Sequence, residues 1–123
     1  MYPLLSIQNL SVDFVSESGH VTALNKISFS INSSEIVAIV GESGSGKSVT
    51  ALAILQLLPS PPAKYLSGQI LFSETGTEQT NLLKSDTRSL RDIRGNKIAM
   101  IFQEPMTCLN PVLTCGTQVM EAL

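Results

Sequence analysis

Eight consecutive residues, Gly41-Glu42-Ser43-Gly44-Ser45-Gly46-Lys47-Ser48, combine three glycines with one ammonium group and a closing hydroxyl. They satisfy G-x-x-x-x-G-K-[ST], the pattern of a phosphate-binding loop. Matching its four fixed positions by chance is expected in roughly one in a few hundred chains of this length. Glycines let the backbone curl until successive N–H groups face inward and form a nest for anionic oxygens. Lys47 is spaced to reach the β- and γ-phosphates of a nucleoside triphosphate, and Ser48 can offer its hydroxyl to Mg²⁺. A helix beginning here would point its positive end at the same phosphates.

The flanking elements suit that task. Ile36-Val37-Ala38-Ile39-Val40 is β-branched at four of five positions and predicts a buried parallel strand running into the loop. Val49 to Leu58 predicts a largely buried helix leaving it, stopped by Pro59-Ser60-Pro61-Pro62 because proline lacks an N–H and clashes with the preceding turn. Upstream, Leu5, Ile7, Leu10, Val12 and Phe14 alternate with one slip, which predicts a strand with a bulge near Asn9. Ser16 to His20 reads as a turn, and Ile27, Phe29 and Ile31 resume the alternation. These two strands are expected antiparallel, beside the phosphate-loop strand. Downstream, Gln69 to Phe72 reads as a strand and Ser73 to Thr80 as an exposed loop. Asp86 to Arg94 reads as a short helix capped by Ser85 or Asp86 and ended before Gly95. Lys97 to Phe102 predicts a buried strand that delivers Gln103 at its end, and a last helix is expected from Thr114.

Composition bounds the rest. The 123 residues leave room for one domain, with an ordinary apolar fraction of 43%. A net charge of −2 argues against a nucleic-acid surface. No apolar run approaches the roughly 20 residues that span a bilayer. Met1-Tyr2-Pro3-Leu4 has no charged region typical of a signal peptide, so a cytoplasmic location is expected, without direct membrane insertion. Cys108 and Cys115, with His20 the sole histidine, make no zinc site and are expected to be reduced thiols. Lys84, Arg88, Arg91, Arg94 and Lys97 recur every three or four positions, which suits a solvated helix face better than an anionic contact.

A second landmark narrows the family. Ile98-Ala99-Met100-Ile101-Phe102-Gln103-Glu104-Pro105-Met106, continued by Leu109-Asn110-Pro111, resembles the Q-loop entry of ABC transporter ATPases in the dipeptide/oligopeptide importer branch. The loop Gly41 to Ser48 is also that branch's form. Ser48-Val49-Thr50-Ala51-Leu52, Leu57 to Pro62 and Tyr65-Leu66-Ser67-Gly68 are similar to the first ATPase domain of the microcin C-type peptide importer, whose subunit carries two fused nucleotide-binding domains. The resemblance runs from Leu5 to Leu123. It implies an α/β fold: the N-terminal half of a P-loop nucleotide-binding domain, with an antiparallel β arm and phosphate-loop core over about 1–72. The Q-loop and the start of a helical subdomain follow over about 97–123.

The resemblance also implies roles. Phe14 stacks on adenine; Gly41, Ser43, Gly44, Ser45, Gly46, Lys47, Ser48 and Val49 bind the ATP phosphates, with Thr50 nearby. Ser48 and Gln103 complete the Mg²⁺ shell. Lys47 and Gln103 act in hydrolysis, Gln103 by placing the attacking water. The partners implied are membrane permease subunits and a second nucleotide-binding domain, with the segment from Met106 onward facing a permease coupling helix. The implied location is peripheral, on the inner face of the cell membrane. The implied activity is import of peptides or peptide-like compounds driven by ATP hydrolysis. The family's signature motif, its Walker B carboxylates, D-loop and switch histidine do not occur in the 123 residues. By itself the chain is therefore expected to supply the P-loop half of a composite site and not to hydrolyse ATP alone. A piece of a longer or split ATPase is the leading reading. A short non-catalytic nucleotide-binding or interaction protein, or a decayed gene product, is the alternative. A kinase of another P-loop family would leave Gln103 to Pro111 unexplained.

Overall fold

The computed structural model describes residues 1–103 and 111–121. Glu104-Pro105-Met106, Cys108, Leu109-Asn110 and Leu123, all used in the sequence reading, lie outside them. The elements are β1 (Leu5–Ser16), β2 (Gly19–Ile31), α1 (Lys47–Ile54), β3 (Ala63–Phe72), β4 (Thr80–Asn81), α2 (Thr87–Ile93) and α3 (Cys115–Glu121), with a 3₁₀ turn at Leu82–Lys84.

β1 and β2 form a hairpin in which Ser16 faces Gly19 and Leu5 faces Ile31. Its register slips between Ile7 and Leu10, where Asn9 takes a positive φ of 48°. Ser hydroxyls hold the irregular stretch: Asn9 N–H donates to Ser28 Oγ at 2.8 Å, and Lys26 N–H to Ser11 Oγ at 3.0 Å. The bulge is thus where the apolar alternation breaks. β3 pairs antiparallel with the other edge of β1, placing Ile70 opposite Ile7 and Ala63 opposite Phe14. It is longer than Gln69 to Phe72, because Gly68 lies against the bulge. A Cβ there would meet Asn9 O and the Leu10 Cα at 2.5 Å. The sheet order is β2-β1-β3-β4, antiparallel throughout.

Flanked on both sides, β1 is the most buried strand. Ile7, Leu10 and Val12 join Ile70, Leu82, Leu90, Ile93, Ala53 and Leu55 in one core. Each full burial of such an aliphatic side chain is worth about 1.5–3 kcal/mol. α2 begins where Asp86 Oδ1 accepts from Ser89 N–H at 2.8 Å, and it ends before Gly95, whose φ is 79°. Ser73 departs from its expected place in an exposed loop. It is buried, with its N–H bonded to Leu4 O and its Oγ accepting from Gly76 N–H.

Three further expectations need correction. Ile36–Val40 forms no strand, and Ile36 is 98% exposed. Ala99–Phe102 likewise forms no strand; only an isolated parallel bridge, Arg94 to Ile98, marks its start. Both segments read as buried strands, the first of them parallel, and buried parallel strands need a hydrogen-bonded neighbour and cover on both faces. Among the described residues neither has them. α1 is also shorter than expected, stopping well before Pro59. Gln56 turns left-handed (φ 51°), its N–H donates to Ala53 O, and Leu57 N–H donates to Leu52 O. That bond pair is a Schellman ending, with glutamine where glycine is usual.

Candidate phosphate-binding site

The loop between Val40 and α1 closes through a turn in which Ser45 N–H donates to Glu42 O at 3.1 Å. Gly46 then caps α1 in the left-handed region (φ 97°) without a side chain to occupy the helix's first N–H groups. A Cβ on Gly46 would run into Leu24 Cδ2 at 2.9 Å and Ala23 O at 3.1 Å, so the loop lies tight against β2. On Gly44 a Cβ would meet nothing within 4 Å. The loop is therefore packed on its inner side and open on its outer side.

Lys47, the first residue of α1, folds back over this loop. Its Nζ donates to Gly41 O at 2.6 Å, Glu42 O at 2.7 Å and Ser45 Oγ at 3.3 Å, which uses all three ammonium donors. Thr50 is turned inward, its hydroxyl bonded to Gly46 O at 2.7 Å. The Ser48 hydroxyl has no hydrogen-bond partner among the described residues.

A cleft of about 490 Å³ opens in front of the loop, within the usual size for a small-molecule site. Phe14 from β1 and Val21 and Ala23 from β2 make its apolar wall; Ser43, Gly44, Gly46, Lys47, Ser48 and Val49 make its floor; Gln103 closes one side. Lys47 is the one charged residue among those lining it. Of the residues singled out in the sequence, the fold thus brings Phe14, Ser43, Gly44, Gly46, Lys47, Ser48, Val49 and Gln103 to one space. Gly41 and Ser45 stand behind it as acceptors for Lys47. Val21 and Ala23 were not singled out. The hairpin register, with Phe14 opposite Val21, is the signal that finds them.

Lys47, Ser48 and Gln103 also border a second cleft of about 510 Å³, between Val37 and Ile39 on one side and Met100 to Phe102 on the other. Those three side chains therefore sit where the segments before the loop and before Gln103 meet the start of α1. The polar set here suits a nucleoside polyphosphate with Mg²⁺: one cation for anionic oxygens, and a hydroxyl and an amide as neutral oxygen donors to a hard ion. No group of three or more His, Cys, Asp or Glu capable of holding a metal occurs among the described residues. None of the described helices is long and apolar enough to cross a membrane.

Comparison with known proteins agrees with the motifs. Residues 24–122 match the family model described as ABC transporter. The chain is 54% identical over 120 residues to an uncharacterized ABC transporter ATP-binding protein of Escherichia coli, YejF, covering 98% of the chain and 22% of that protein. It is 48% identical over 120 residues to a probable peptide ABC transporter ATP-binding protein of Sinorhizobium fredii, covering 98% of the chain and 34% of that protein. To the dipeptide transport ATP-binding protein DppD of Bacillus subtilis it is 48% identical over 123 residues, the whole chain and 35% of the relative. The chain thus spans between a fifth and about a third of the length of these curated relatives. With the loop, the Gln103 segment and the family match in agreement over most of its length, the chain belongs to the ABC transporter family.

Proposed function

We propose that this chain is the P-loop portion of the ATP-binding component of an importer for peptides or peptide-like compounds, coupling ATP hydrolysis to transport. The observation that carries the reading is the convergence of Phe14, the Ser43–Val49 loop and Gln103 on one cleft. The names of relatives as peptide and dipeptide transport ATP-binding proteins support the substrate class.

In this reading Phe14 offers a flat apolar face to adenine, and the open outer side of the loop presents backbone N–H groups to the phosphates. Lys47 exchanges the Gly41 and Glu42 carbonyls for phosphate oxygens. This turns neutral-acceptor hydrogen bonds into stronger bonds between opposite charges. Ser48 and Gln103 hold Mg²⁺, and Gln103 orients the water that attacks the γ-phosphate. Bound Mg²⁺ supplies neutralisation of phosphate charge. The carboxylates and signature residues needed for turnover come from outside these 123 residues, including a second nucleotide-binding domain. Permease subunits provide the docking surface, which places the assembly on the inner face of the membrane.

The test is an ATP titration of Lys47→Ala. Removing the cation should weaken ATP binding by at least about 30-fold while leaving the β-sheet circular dichroism unchanged. Unchanged ATP affinity would refute the assignment.

A further inference from the structure

We infer that Arg94 is a positioning residue that sets the spacing between the phosphate loop and Gln103, an inference that rests on the placement of Gln103 in the Mg²⁺ shell. The starting observation is how α1 ends. Arg94 Nε donates to Leu55 O at 2.8 Å and Arg94 Nη2 to Gln56 O at 3.0 Å. One planar guanidinium thus holds two carbonyls at the negative end of the helix whose other end carries Lys47 and Ser48. Gln56, left-handed at the same turn, donates its side-chain amide to Leu82 O. Among the described residues, these are the side-chain hydrogen bonds that tie the end of α1 to another element.

Arg94 is also the hinge of a second connection. Its N–H caps α2 on Leu90 O at 2.9 Å. Directly after it the chain reverses in a tight turn: Lys97 and Ile98 N–H groups both donate to Ile93 O at 3.0 Å, and Gly95 N–H to Ile98 O at 2.8 Å. From Ile98 the chain runs through Met100, which packs on the core, to Gln103. Ser48 and Gln103 therefore lie on two arms, α1 and the 98–103 segment, that share one clamp at Arg94. The 98–103 arm lacks a strand partner among the described residues, so the clamp adds to the packing of Ile98 and Met100 in fixing it relative to α1. A shift there moves Gln103 relative to Ser48 without touching either. Misplacement on the order of 1 Å, caused by a change far from a site, is enough to cost it much of its function.

The experiment measures ATP affinity by calorimetry with excess Mg²⁺ and with EDTA, in the full polypeptide. The readout is the ratio of the two, the Mg²⁺-dependent gain. Arg94→Met should reduce that gain about tenfold while Mg²⁺-free affinity, which depends on the loop and Phe14, stays within twofold. Arg94→Lys, which keeps the charge but loses the rigid planar fork, should retain an intermediate gain and stands in if Arg94→Met does not fold. Gln103→Ala should lose the gain by itself, and adding Arg94→Met to it should change the ratio no further. Equal losses with and without Mg²⁺ would show a general structural role and overturn the inference. A full gain in Arg94→Met or Arg94→Lys beside a lost gain in Gln103→Ala would overturn it alone. A full gain in Gln103→Ala would overturn the Mg²⁺ reading and the inference with it.

Discussion

Two isoleucines frame the molecule's contrast. Ile7, in the middle of β1, is 1% exposed; Ile36, at the head of the segment entering the phosphate loop, is 98% exposed. Both lie in stretches that read as strands, by apolar alternation around Ile7 and by a continuous apolar run from Ile36. Ile7 has β2 on one side and β3 on the other, with Phe29 and Ile70 opposite. Ile36 has no strand on either side among the described residues. Apolar pattern thus specifies what a segment can become, while pairing decides whether it does. The β arm closes through a two-residue hairpin turn and a return strand. The phosphate-loop and Gln103 segments border one cleft, yet neither forms a strand among the described residues.

The largest effect that could break this contrast is in the core. In the 123-residue chain, Ile7→Ala should destabilise by about 2–5 kcal/mol, whereas Ile36→Ala should stay within about 0.5 kcal/mol, as exposed substitutions do. Urea denaturation of the two variants gives the comparison. Similar losses would mean Ile36 is packed in solution.

The next effect sharpens the contrast where the two regions meet. Phe14 belongs to the arm but faces the loop. Phe14→Ala should weaken ATP binding about tenfold, the scale of an aromatic–base stack, and leave inorganic tripolyphosphate binding unchanged. Equal losses for both ligands would make Phe14 a support for the loop instead of an adenine platform.

The smallest effect lies at α2. Hydrogen bonds from the Ser89 hydroxyl and then the Ser89 N–H hold the Asp86 carboxyl below its ordinary pKa. A lowered folded-state pKa contributes stability that is present above the ordinary carboxylate value and is lost as pH falls through the lowered one. Asp86→Asn keeps a capping oxygen but removes that titration, so its thermal midpoint should vary less with acid pH than the parent's. Identical acid profiles would contradict the cap's charge contribution.

Much of the arm was legible because its signals are local. The missed beat between Ile7 and Leu10 marked the bulge, and Asp86 and Gly95 bracketed α2. The loop residues were legible from spacing alone. What escaped depends on distant partners. The end of α1 was assigned to Pro59, but Arg94, 39 residues after Leu55, captures the carbonyls earlier. Arg94 itself read as one of a series of solvated basic residues, since charge spacing does not reveal which member turns inward. Lys97, in the same series, pairs with Glu74 at 2.6 Å. Ser73 looked like loop from its polar neighbours, and only its bond to Leu4 O explains its burial.

The most direct test of the nucleotide cleft is photolabelling with 8-azido-ATP followed by peptide mapping. The azide sits on the adenine ring, so the adduct should fall on the hairpin peptide that carries Phe14, Val21 or Ala23. Excess ATP should abolish it, and so should Lys47→Ala. An ATP-competed adduct on any other part of the chain, or no competed adduct at all, would contradict a cleft shared by Phe14, the loop and Gln103.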